Sequence, residues 1–88
     1  MKITRFEDLQ CWQEARKLVN MVYEAIRKCP EFQKDFRLSG QMTGAAVSST
    51  SNIAEGFARR SNREFVQFLF VSKSSATEVQ SESYVALD

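Results

Sequence analysis

Residues 11–29 read Cys-Trp-Gln-Glu-Ala-Arg-Lys-Leu-Val-Asn-Met-Val-Tyr-Glu-Ala-Ile-Arg-Lys-Cys, and Pro30 follows. Cys11, Ala15, Leu18, Val22, Ala25 and Cys29 recur at alternating steps of four and three. That spacing sets side chains along one stripe of an α-helix. Trp12, Val19, Tyr23 and Ile26 make a neighbouring stripe. Together they give an apolar face wider than a single two-helix seam requires. Pro30 stops the pattern, because proline disfavours helical backbone in the residue before it. Upstream, Thr4 and Glu7 have the spacing of a capping box, with Asp8 as an alternative cap. A first helix is therefore predicted over about residues 7–29.

Two more helices follow from the same reasoning. Leu38, Met42, Ala45, Ser49, Asn52 and Gly56 repeat the four-three spacing, with Ala46, Ile53 and Phe57 beside them, so a second helix is predicted over about 35–57. Its seam turns small and polar in Val47-Ser48-Ser49-Thr50-Ser51-Asn52, which lets helices approach closely but requires partners for the buried hydroxyls. Residues 30–34 read as a loop, and a connection this short favours an antiparallel return. Ser61 and Glu64 repeat the capping-box spacing, so a third helix is predicted over about 62–87. Phe65, Phe68, Leu69, Ser72, Ala76, Val79 and Ser83 are its inner stripe; Val66, Phe70, Thr77 and Tyr84 form a second one. The pattern is still running at Asp88, with no stop signal. The expectation is an all-α, antiparallel up-down bundle in one domain, residues 1–88.

Composition narrows the class further. One Pro and three Gly in 88 residues are too few for a turn-rich β fold. The net charge of +1 provides no overall basic field for nucleic acid. Residues 1–60 carry ten Lys/Arg against seven Asp/Glu, whereas residues 61–88 carry two against four. Cys11 and Cys29, on one helix, would lie roughly 27 Å apart, too far for a disulfide. They read as small buried apolar residues of a reducing compartment, and a cytoplasmic location is expected. Neither a signal peptide nor a run of about 18 apolar residues is present, so no membrane association is expected.

The residues also carry a family resemblance. Phe6-Glu7-Asp8-Leu9 with Trp12 and Ala15, then Gln41, then Ser51-Asn52-Ile53-Ala54-Glu55-Gly56, then Glu64-Phe65 with Phe68-Leu69, then Ser75 and Glu78, resemble the four-helix-bundle proteins first noticed as products of intervening sequences within bacterial 23S ribosomal RNA genes. The resemblance implies an up-down-up-down bundle that assembles as a homo-oligomer, typically a pentameric ring. It also implies a relationship to the accessory protein of diversity-generating retroelements, a bundle that binds a reverse transcriptase and nucleic acid. Three departures stand out. Thr50 replaces a usual proline, Ser74 replaces a usual glycine, and the family's fourth helix is missing or truncated. Without that helix the second stripes of the first and third helices, Val66 and Phe70 among them, are expected to face water unless another chain covers them.

No histidine is present, which removes the commonest general base and metal ligand. Serines lack a triad-type base, the cysteines lack zinc spacing, and no phosphate-binding glycine loop occurs. The expectation is no enzyme, no cofactor and no metal. Glu55, Glu78 and Glu82 could be read as bundle metal ligands, but the Glu-x-x-His motif is absent. Gln41, Asn52, Glu55 and Glu78 are instead expected to be structural polar residues linking helices. Arg59, Arg60 and Arg63 form the one concentrated basic patch, at a turn. They are the candidate nucleic-acid contacts, because guanidinium groups suit phosphates. The expected function is a non-enzymatic oligomeric scaffold or adaptor, with itself and RNA, or a nucleic-acid-processing protein, as partners. The alternative is a protein-only interaction module of a regulatory pair.

Overall fold

Asp35 begins the helix that organises the molecule. Its Oδ1 accepts a hydrogen bond from the Leu38 N–H at 3.0 Å, which caps the helix start. The computed structural model describes residues 2–87. In chain order they form a 3-10 turn (Phe6–Asp8), α1 (Gln10–Lys28), a short α2 (Pro30–Lys34), α3 (Phe36–Phe57) and α4 (Asn62–Leu87). No strand occurs among the described residues.

α3 is central because small residues line its seam. Met42, Ala45, Ala46, Ser49, Ile53 and Gly56 are all buried. α4 and α1 pack side by side against α3, leaving a groove between them, and make few direct contacts with each other. Ser49 meets Ser72 and Ser48 meets Ser75, so α3 and α4 run antiparallel. The result is an antiparallel helical bundle measuring 45 × 20 × 16 Å. Val22, Met42, Ala45, Ala46 and Val79 make the core, with Leu18, Val19, Ile26, Phe32 and Leu38 packed against it.

The serine-rich seam satisfies its own hydroxyls. Ser49 Oγ donates to the Ala46 carbonyl at 2.6 Å, and Ser72 Oγ donates to the Ser49 carbonyl at 2.8 Å. Gly56 permits a close approach of the two helices. A Cβ at this position would lie 2.5 Å from the Phe68 Cβ. α3 also runs through Thr50 without interruption, and the Thr50 hydroxyl donates to the Val47 carbonyl at 2.7 Å.

Three expectations are corrected. The capping box at Thr4 and Glu7 does not form, and Asp8 caps nothing. Arg5 pairs with Glu7 at 3.2 Å and Asp8 at 3.9 Å instead, and α1 begins only at Gln10. Residues 30–34 are a helical turn rather than a loop, because Pro30 at the first helical position fits α2 without costing a hydrogen bond. Cys11 and Cys29 are exposed, not buried. Cys11 sits where no element covers the groove between α1 and α4, and Cys29 has left the helical path, with φ −119° and ψ 104°.

Candidate functional site

The turn between α3 and α4 carries Arg59 and Arg60, and Arg63 follows in the first turn of α4. Ser61 Oγ accepts from the Glu64 N–H at 3.2 Å, fixing where α4 begins. The three arginines are not equivalent. Arg59 is held between the two helices: its Nη2 donates to Glu55 Oε1 of α3 at 3.2 Å, and its guanidinium lies 5.1 Å from the centroid of the Phe68 ring on α4. Arg60 and Arg63 are exposed, and among the described residues neither has a hydrogen-bond or ion-pair partner. Two guanidinium groups at this end of the bundle therefore remain open to an anion.

The four structural polar residues are placed differently from expectation. Asn52 is half-buried and donates within α3, to the Ser48 carbonyl at 2.8 Å and Ser48 Oγ at 3.0 Å. Ser48 Oγ in turn meets Ser75 Oγ at 3.1 Å, so Asn52 reaches α4 only through that serine. Glu55 is exposed and pairs with Arg59 in the turn that follows its helix. Glu78 and Gln41 are exposed. The links between helices are made by serines, whose short side chains reach across where the backbones approach closely. The need of those hydroxyls for partners is legible in the sequence, but the links fall to them and not to the larger polar groups.

Glu82, weighed from the sequence only as a metal ligand, is the polar residue most in need of explanation. It is only 9% exposed, and its Oε1 has no hydrogen-bond partner. Burial, and then the charge of Glu78, holds its carboxyl above the ordinary glutamate range. Continuing the Ser48–Ser75 register two helical turns along sets exposed Gln41 level with it. Among the described residues no three His, Cys, Asp or Glu side chains gather as a metal site.

Apolar surface is the other feature. A groove of about 370 Å³ runs between α1 and α4, with Leu18 and Leu69 on its walls and Ser49 and Ile53 on its floor. On α4 Val66, Phe70 and Tyr84 are 48%, 65% and 65% exposed, and Met21 on α1 is 67% exposed. The second stripe of α4 faces water as expected; that of α1 does not, because Trp12, Val19 and Ile26 are half-buried, Val19 and Ile26 pack against the core, and only Tyr23 is exposed.

An all-α antiparallel bundle with a serine seam and an arginine turn defines a helical-bundle protein. The family model for the 23S rRNA-intervening sequence protein matches residues 7–88, and the chain belongs to that family. No match is found among curated proteins or among solved structures. The motif that carries the resemblance now has a physical reading. Ile53 fills the core, Asn52 braces the serine seam, Glu55 restrains Arg59, and Gly56 admits Phe68. Among the described residues no helix is long and apolar enough to cross a membrane.

Proposed function

We propose that this chain is a non-enzymatic, self-associating scaffold or adaptor of the cytoplasm that engages RNA, or a protein–RNA complex, through its arginine turn. The observation that carries the reading is the difference among the three arginines. Arg59 is occupied by Glu55 and Phe68, whereas Arg60 and Arg63 are exposed and unpaired among the described residues. Repeated in an oligomer, two open guanidiniums per chain become a multivalent anion-binding rim, which offsets the weak net charge of +1. A five-membered ring, as the resemblance implies, would present ten of them. The absence of histidine supports a non-enzymatic role.

The test is an RNA titration at two salt concentrations. Each phosphate the protein ceases to neutralise lowers the slope of log K against log salt by about 0.7 for a single strand. Replacing Arg60 and Arg63 by Ala is expected to weaken binding and flatten that slope. Arg59→Ala is expected to do much less. Binding that survives R60A/R63A unchanged removes the turn from the function.

The exposed stripe Val66, Phe70 and Tyr84 favours a second reading, a protein-only interaction module. It predicts no salt-sensitive RNA affinity, and binding to a protein partner that Phe70→Ser abolishes.

A further inference from the structure

Three elements meet at one end of the bundle. Cys11 of α1 borders one groove with Ile53, and Ile26 borders another with Ser39, so α1 runs antiparallel to α3 as α4 does. α1 and α4 therefore both begin where α3 ends. The arginine turn shares this end with the start of α1, and the 3-10 turn Phe6–Asp8 touches both α1 and α3. Charge is sorted along the 45 Å axis. At the arginine end Arg16, Arg60 and Arg63 have no carboxylate partner among the described residues, and of the carboxylates there only Glu64 lacks a cation. Toward the other end Glu31, Asp35 and Glu82 lack one, and they outnumber the unpaired Lys34 and Arg37. A polyanion is thus drawn to the arginine end.

What Arg16 adds is a flat surface. Its guanidinium lies over the Trp12 ring, 5.7 Å from the centroid. Phe6 meets the same ring at 66°, with centroids 5.2 Å apart, and fixes the indole in place. Trp12 is half-buried and Arg16 exposed, so the guanidinium is backed by the indole and open on its outer side. Such a plane is a stacking platform for an unpaired base. We infer that the ligand of the arginine end is single-stranded RNA, whose phosphates meet Arg60 and Arg63 and one of whose bases stacks on Arg16 over Trp12. The inference rests on the RNA-binding reading above and names the form of RNA. Both kinds of contact share an end face of 20 × 16 Å, which one strand can cross. A duplex keeps its base faces stacked inside, so it engages the arginines but not the platform. Three unpaired arginines against Glu64 are a small charge, so the stacked base carries the preference.

The experiment titrates the full chain with an oligouridine of about ten nucleotides and with a duplex RNA of the same length. It reads the anisotropy of labelled RNA and the fluorescence of Trp12, the single tryptophan of the chain. The single strand is expected to bind about tenfold more tightly than the duplex, the worth of one stacked base, and to quench Trp12 with the same midpoint. R60A/R63A is expected to weaken both RNAs. Arg16→Lys keeps the charge and loses the plane, at an exposed position where the fold does not depend on it. It is expected to lower single-strand affinity several-fold while leaving duplex affinity and the salt slope unchanged. Equal affinity for the two RNAs, an unquenched Trp12 at saturation, or an R16K variant that binds like the parent overturns the platform and leaves the Arg60 and Arg63 reading standing. A parent chain that binds neither RNA overturns both.

Discussion

Gly56 of α3 lies directly against Phe68 of α4, so close that an added Cβ would fall 2.5 Å from the Phe68 Cβ and 3.1 Å from the Phe65 ring. Both obstructing residues sit on a long helix, and the nearest atom is a Cβ that cannot rotate away. Gly56→Ala must therefore push the helices apart. The expected loss is about 1–3 kcal/mol, the usual cost of overpacking. Urea denaturation, with an unchanged slope and a lower midpoint, checks it.

Ser72→Ala removes the hydroxyl that donates to the Ser49 carbonyl across the helix pair. That carbonyl also lies inside α3, so it is not left without a helical partner. The expected loss is about 1 kcal/mol, that of one ordinary buried hydrogen bond. Ser75→Ala, in a less buried link to Ser48, is expected to cost less in the same titration.

Glu82 sets a pH dependence. Its carboxyl is held above the ordinary value of 4.5 by burial and by Glu78. The folded state therefore binds its proton more tightly than the unfolded chain does. The stability this group confers is fully present below the unfolded value and is lost as pH rises through the folded one. Glu82→Gln is expected to raise the urea midpoint at pH 7, to change it little at pH 4, and so to flatten the decline between them. An equal shift at both pH values would show that the proton is not responsible. Glu24, lowered by Arg27 and then Lys28, acts in the opposite sense, and losing it would be felt above its own range.

Asp35→Ala removes the carboxylate that caps α3 at the Leu38 N–H. The expected loss is about 1 kcal/mol. Asp35→Asn keeps an acceptor oxygen and is expected to recover most of it. Thermal unfolding of the two variants side by side gives the comparison.

Much of the fold is legible in the sequence because its signals are local. Ser61 caps α4 where the Ser-x-x-Glu spacing puts it, and the four-three seam from Leu38 to Gly56 is the inner seam of α3, buried at Met42, Ala45, Ser49 and Gly56 and half-buried at Leu38 and Asn52. Thr4 and Glu7 have the same spacing and fail because Arg5, between them, draws Glu7 and Asp8 into ion pairs that a pattern does not reveal. Cys11 and Cys29 depart from expectation for a different reason. A stripe says which side chains share a face, not how far the covering helix extends. The arginine turn is visible as a cluster, but the division between Arg59 and its neighbours depends on Glu55, one helical turn back, and on Phe68 of the facing helix. Glu82 stays hidden in the sequence because its burial arises only when α3 packs on α4.

The turn of residues 58–61 has a consequence for the order of folding. It joins the two longest helices with almost no slack, and the seam they share is closed by residues near one another along the chain. Closing so short a loop costs little entropy, so the α3–α4 hairpin is poised to form first and to serve as the template on which α1 later docks. Amide protons at the centre of α3 should then exchange more slowly than any in α1, and α1 should open on its own before the hairpin does.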